Sequence, residues 1–197
     1  AWGYNGYGQL GQGNTTSYSS PVQVGALTTW ATVAAGQAFT LAIKTDGTLW
    51  AWGRNNRGQL GQSNTTTYSS PVQVGALTNW LSVAAGKYYT KAVKTDGTIW
   101  CWGEGGQGQI GNGSNSDRSS PVQVGALTTW LKVGLFHVLA IKTDGTLWGW
   151  GANNSGQLGD GSLTLRNSPV QIGSLTTWYE VSDQCSTSSS VFGTIVQ

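Results

Sequence analysis

Acid–base or metal chemistry needs several ionisable side chains at matched spacings, and this chain offers few. His137 is its single histidine, and one imidazole without cysteine, histidine or carboxylate partners at ligand spacing makes no typical metal cluster. Outside the repeated hairpins the carboxylates include Glu104, Asp117, Asp160, Glu180 and Asp183. Nothing in their spacing pairs one as acid and another as base. No nucleophile elbow surrounds any serine. Cys101 and Cys185 fall at non-equivalent places in a repeating pattern, which predicts two unpaired thiols. Gly6-Tyr7-Gly8-Gln9-Leu10-Gly11 and the stretch from Gly106 to Gly111 fit GxGxxG. A dinucleotide site also needs a strand before and a helix after the motif, and Asn56 and Asn154 replace the first glycine in the other copies. Glycosylation triplets begin at Asn14, Asn64, Asn112 and Asn153, as chance allows in a chain so rich in Asn and Thr. The expectation is no enzyme, no cofactor and no metal.

Recognition chemistry is better supplied, and it sits where otherwise similar segments differ. Tyr4, Gly6 and Tyr7 become Arg54, Asn56 and Arg57, then Glu104, Gly106 and Gln107, then Ala152, Asn154 and Ser155. Gln37, Ala38 and Phe39 become Lys87, Tyr88 and Tyr89, then Leu135, Phe136 and His137. Aromatic residues and arginine are the types enriched in interface hot spots. The candidate partner-binding residues are therefore Tyr4, Tyr7, Arg54, Arg57, Lys87, Tyr88, Tyr89, Glu104, Phe136 and His137. The competing reading is drift in exposed loops, with Phe39, Tyr89 and His137 packing the interior.

These residues ride on a unit written almost four times. Pro21, Pro71, Pro121 and Pro169 open nearly identical phrases that end at Trp30, Trp80, Trp130 and Trp178. The repeats run approximately 1–50, 51–100, 101–148 and 149–197 within one repeat domain, the last copy degenerate. A period of this length marks stacked units that bury their apolar faces against each other. Thr40 to Gly53 reads as a hairpin about Asp46-Gly47: alternating apolar residues flank the pair, which predicts a two-residue turn with both residues at positive φ. That register sets Thr45 opposite Thr48, Ile43 opposite Trp50, Ala42 opposite Ala51 and Leu41 opposite Trp52. It predicts a bulky face of Leu41, Ile43, Trp50 and Trp52, and a small face whose pairs are Ala42/Ala51, Ala92/Cys101 and Ala140/Gly149. Further short strands are expected near Val22–Val24 and Ala31–Ala34. No segment has the periodicity and caps of a helix.

Four short antiparallel strands per repeat predict an all-β fold, a β-propeller of about four blades, in preference to a parallel β-helix. With the strands running alternately up and down, both variable stretches fall on one face. The near-constant Thr-Asp-Gly hairpins fall on the other. Varied loops on a fixed frame are how repeat scaffolds present binding surfaces.

The loop Asn5-x-x-Gly8-Gln9-Leu10-Gly11, recurring from Asn55 to Gly61 and from Asn153 to Gly159, joined to the Lys-Thr-Asp-Gly-Thr-Leu-Trp hairpin, resembles the regulator-of-chromosome-condensation repeat. The resemblance covers all four periods, although Val181 through Phe192 replaces a strand pair and Gly193 to Val196 echoes the hairpin without its Asp. It implies blades of a propeller, typically a seven-bladed ring. Its functional range spans exchange factors for the GTPase Ran, secreted bacterial inhibitors of β-lactamases, and parts of multidomain proteins. The uniformity of the repeats is closest in style to bacterial and phage members. Four copies fit either a closed four-bladed ring or part of a longer propeller, the latter favoured because the chain begins at Ala1 inside what is a strand elsewhere.

Composition narrows the partners. Charged residues make up 9% of the chain and the net charge is +2, against roughly 25% charged residues in typical domains. No basic stripe is present, so no nucleic-acid partner is expected. No apolar run approaches the ~20 residues of a membrane span. The expectation is a non-catalytic scaffold or binding module, extracellular or on a virion surface, meeting a protein or glycan through one loop face and available to a larger assembly. The alternative, carried by the resemblance alone, is an exchange-factor-like regulator of a small GTPase.

Overall fold

The computed structural model describes residues 1–26, 28–126, 129–134, 139–181 and 193–195, the last as backbone. It is all-β. Three sheets of four antiparallel strands follow one another along the chain. The first contains β1 (Trp30–Ala35), β2 (Phe39–Lys44), β3 (Leu49–Gly53) and β4 (Tyr68–Gln73). The second contains β5 (Trp80–Ala85), β6 (Tyr89–Lys94), β7 (Ile99–Gly103) and β8 (Arg118–Gln123). The third contains β9 (Trp130–Val133), β10 (Leu139–Lys142), β11 (Leu147–Gly151) and β12 (Arg166–Gln171). β13 (Trp178–Val181) then pairs with β14 (Gly193–Ile195). Residues 193–195 thus meet Val181, Glu180 and Trp178 as a second strand. Ahead of β1, Gly3 bridges Tyr18 as Gly53 pairs with Tyr68, which marks the outer edge of a further blade. Each sheet takes its fourth, proline-led strand from the next sequence copy.

The hairpin differs from its expected register. Thr40 faces Trp52, Leu41 faces Ala51, Ala42 faces Trp50 and Ile43 faces Leu49. Lys44 and Thr48 close the loop (Lys44 N to Thr48 O, 3.0 Å), so Thr45, Asp46 and Gly47 form a three-residue connection. Gly47 alone takes positive φ, at 77°, as in a type I turn with a bulge. The Asp46 carboxylate selects this loop: it accepts from the Thr48 amide at 2.9 Å and the Thr48 hydroxyl at 2.6 Å. These bonds hold its pKa below the ordinary value. Asp96 and Asp144 repeat the arrangement with Thr98 and Thr146.

One residue of slip reassigns both faces. Trp50 and Trp52 share a face with Thr40, Ala42 and Lys44, and Leu41 and Ile43 share the other with Leu49 and Ala51. The expected small pairs dissolve likewise: Lys91 faces Cys101, Ala92 faces Trp100, Leu139 faces Gly149 and Ala140 faces Trp148. Blades stack with the aliphatic face of one on the tryptophan–alanine face of the next. Leu41, Ile43, Leu49 and Ala51 of the first blade meet Trp80, Val83, Ala92 and Trp102 of the second. Ile99 and Cys101 of the second blade join Trp130, Ala140 and Trp150 of the third in the next cluster. Val83 is 6% exposed inside its interface; Val33, its counterpart on the outer face of the first blade, is 63% exposed.

Candidate functional site

The variable residues are carried by two connections at the same end of each blade. The short β1–β2 and β5–β6 turns lie beside the long β3–β4 and β7–β8 loops: Arg54 N donates to Ala38 O at 2.8 Å, and Glu104 N to Tyr88 O at 2.9 Å. A buried asparagine builds the long loop. Asn55 accepts from Leu60 N at 2.9 Å and donates to Asn64 O at 3.0 Å; Asn5 and Asn153 do the same in their copies. The Gln59 side chain accepts from Arg57 N at 2.8 Å. The Gln59 carbonyl takes hydrogen bonds from Thr90 (2.8 Å) and the Trp102 indole (3.0 Å) of the following blade. Backbone-directed bonds thus anchor the loop, and its variable side chains project.

Those side chains meet across repeats. The Arg54 guanidinium lies 5.0 Å from the Tyr7 ring centroid and 5.1 Å from that of Tyr88. The Lys87 ammonium sits 5.3 Å from the Tyr88 ring. Arg57 reaches Asp117 at 3.3 Å and Glu104 at 3.9 Å. These charges are largely solvated, so each contact contributes only ~0.2–1 kcal/mol and orders the surface more than it stabilises the fold. The structure therefore gathers Tyr7, Arg54, Lys87 and Tyr88 in one cluster and Arg57 with Glu104 in another. Tyr4 is exposed and folds its ring over Gly6, apart from both. Tyr89 is half-buried with its ring against Gly86, and its equivalent Phe39 is 1% exposed against Gly36. Phe136 and His137 lie outside the described residues.

Two contributors escaped the sequence reading. Asp117 stands where the first two copies carry Ser17 and Thr67. Its carboxylate accepts from Gly105 N at 3.0 Å, serving a loop whose asparagine has become Gly105. A lone acid at a hydroxyl position was the available signal. Lys91 replaces the core leucine of the other copies, Leu41 and Leu139, and is 1% exposed, its ammonium donating to Gly134 O at 3.0 Å. The Lys91–Cys101 pair is no activated thiol. Burial pushes the Cys101 pKa up to about 12, outweighing the nearby ammonium, and a thiol at that value is not a nucleophile near neutrality.

Asp160 is a structural acid in the fourth copy. Burial acts to raise its pKa, but hydrogen bonds from Ser162, Arg166 and Asn153 together hold it down at about 2. Among the described residues no three His, Cys, Asp or Glu side chains gather as a metal site. No described helix is long and apolar enough to cross a membrane.

Comparison with known proteins agrees with this architecture. The family model for the regulator of chromosome condensation (RCC1) repeat matches residues 1–43, 46–93, 96–141 and 144–190, and a second model of the same repeat matches 30–59 and 80–109. No curated protein matches at significant similarity. Among solved structures, human WBSCR16 superposes with a TM-score of 0.75 at 22% identity, over 91% of this chain and 50% of that one. Prp20p from Saccharomyces cerevisiae gives 0.70 at 20% identity, over 89% and 46%. The same yeast RCC1 (Prp20) bound to Kap60 gives 0.73 at 20% identity, over 89% and 44%. The chain spans about half the length of these structures, and at such identities the likeness is one of fold. With four matched repeats over most of its length, the chain belongs to the regulator of chromosome condensation (RCC1) repeat family.

Proposed function

We propose that the chain is a non-catalytic binding module that presents the β1–β2 and β3–β4 loop end of its blades to a protein or glycan partner. The observation that carries this reading is the Arg54 guanidinium held between Tyr7 and Tyr88, side chains contributed by two successive copies. A cation between aromatic rings, with Lys87 and the Arg57–Glu104 pair beside it, offers flat apolar area and charged hydrogen-bond donors together. Such a patch suits hydroxyl-rich or carboxylate-bearing surfaces. Low charge and uniform repeats support an extracellular or virion-surface setting in a bacterial or phage system, and a bracing role in a larger assembly. Replacing Tyr7, Arg57 and Tyr88 together with alanine is expected to abolish binding to hits from a glycan array or surface-protein panel and to move Tm by less than about 6 °C, since exposed changes are worth within ~0.5 kcal/mol each and 1 kcal/mol shifts Tm by ~2–4 °C at this size. Unchanged binding by the triple variant refutes the proposal.

A second reading follows from the likeness to Prp20p, which binds Gsp1p and histones. It assigns this chain GTPase regulation. Nucleotide-release assays with a Ran-type GTPase separate the two: acceleration at micromolar chain supports the second reading, and an unchanged rate refutes it.

A further inference from the structure

A cavity of about 530 Å³ lies between the first and second blades. The ends of β4 and β6 and the starts of β5 and β7 line it, so it opens at the hairpin end, opposite the variable loops. Gln62, Ser63 and Gln73 come from one blade, and Trp80, Lys94 and Trp100 from the next. Leu77, 46% exposed, also lines the cavity.

Three features of this cavity point to a ligand. Lys94 is 6% exposed, with its ammonium 3.7 Å from the Trp100 centroid and 5.0 Å from that of Trp80. The ammonium itself makes no ion pair or hydrogen bond with another described residue, the Asp96 carboxylate acting on it only at longer range, whereas buried charges are ordinarily paired. Burial lowers its pKa. The Trp80 indole N–H is buried without an acceptor, as are its counterparts in Trp130 and Trp178, whereas that of Trp30 donates to Val24 O at 3.3 Å. Ser63 has φ of 60° and is the one non-glycine at positive φ among the described residues. The other copies place Gly13, Gly113 and Gly161 there, at 74°, 81° and 76°. Strain of this kind persists where a side chain has a use. The Ser63 hydroxyl lies 3.0 Å from that of Ser120.

The lysine–tryptophan clasp by itself is architectural: Lys44 and Lys142 sit 3.7 and 3.4 Å from Trp50 and Trp148 in the neighbouring blades. The strained serine distinguishes this copy. The lining sorts by chemistry into a buried ammonium for a carboxylate, two amides and a hydroxyl for ring hydroxyls, and indole and leucine surface for the apolar face of a pyranose. We propose that this groove binds an acidic saccharide of the uronate type, its carboxylate on Lys94 and its ring against the Trp100 side. The site is independent of the loop-face proposal.

Calorimetric titration of the 197-residue chain with a glucuronate-containing disaccharide and its neutral glucose counterpart tests the assignment. The acidic sugar is expected to bind at least tenfold tighter than the neutral one, and Lys94→Gln to weaken it at least tenfold. Lys94 also braces two indoles, so Ser63→Gly provides a second measure. That variant relieves the strained backbone and is expected to raise Tm while weakening the acidic sugar at least threefold, a combination that a purely structural serine would not produce. Equal or absent binding of the two sugars overturns the proposal, as does Ser63→Gly that raises Tm with affinity unchanged. Binding of an acidic peptide in place of both sugars also overturns it.

Discussion

Val33 and Val83 occupy the same repeat position on tryptophan–alanine faces, yet Val33 is 63% exposed and Val83 is 6% exposed. Truncating each to alanine therefore tests blade stacking with its own internal control. Val→Ala removes the equivalent of two methylenes, at ~0.8 kcal/mol per buried methylene, so Val83→Ala forfeits about 1.6 kcal/mol of transfer energy. The space left against Leu41 and Ile43 adds a cavity cost, since the sheets on both sides are held by their ladders, bringing the loss to ~2–3 kcal/mol. Val33→Ala loses about a third of the transfer energy and opens no cavity, ~0.6 kcal/mol. Both variants give up the same few tenths of strand propensity, which cancels in the comparison. The expected gap of at least ~1.4 kcal/mol is a tenfold difference in unfolding equilibrium. Urea unfolding followed by tryptophan fluorescence and by far-UV circular dichroism measures it, with the two probes compared because stacked repeats can unfold in stages. Equal losses at the two positions would refute the stacking of the first blade's aliphatic face on the second blade's tryptophan face.

The loop frame and the acid in the fourth copy give two further expectations. Asn55→Ala leaves the buried Leu60 amide without its 2.9 Å acceptor, a cost of ~1–3 kcal/mol. Thermal unfolding should register the loss and hydrogen exchange should show faster opening at Leu60; unaltered exchange there would contradict the anchoring role. Asp160 has a folded pKa of about 2, below its ordinary 3.8. Its contribution is therefore fully present above about pH 4 and is lost as pH falls from there toward 2. Asp160→Asn should flatten the decline of Tm across that window, and a variant with the parental slope would count against the depressed pKa.

The all-β class, the repeat, the hairpin positions and the shared end of the two variable stretches were legible because each rests on local signals recurring in phase. The hairpin register was not. Asp-Gly fits either a two-residue turn or a three-residue loop with a bulge, and the choice here lies in the Thr48 hydroxyl, whose bond to Asp46 continues to the Trp50 indole at 2.8 Å. Because side chains alternate across a strand, that single residue exchanged the partners of both tryptophans. The candidate site was legible in its location but not its pairings. Arg54 meeting Tyr7 and Tyr88 depends on the spacing between blades, which no window of sequence contains. Tyr89 was chosen for its residue type, yet its register and the absence of a Cβ at Gly86 draw its ring inward.

One-sided variation has a physical origin in how the long loop is held. The Asn55 amide, the Gln59 side chain and the Gln59 carbonyl bond to backbone or to the next blade, so no frame bond uses the side chain of residue 54 or 57, and Asn56 adds only a long 3.5 Å bond from the Gln59 amide. Those positions can change chemistry without unfolding the loop, whereas changes at Asn55 or Gly47 disturb the structure itself. The third copy shows how a frame bond can itself bring charge to this face. Asp117 accepts the Gly105 amide at 3.0 Å from the far arm of the loop, as the Ser17 hydroxyl accepts the Asn5 amide at 3.2 Å in the first copy. Its second carboxylate oxygen then meets Arg57 of the preceding copy. An acid in place of a hydroxyl at a frame position has thus put a new charge on the variable surface and joined two blades across it. Surface character on this face therefore follows both from substitution at the free positions and from exchange of one frame acceptor for another.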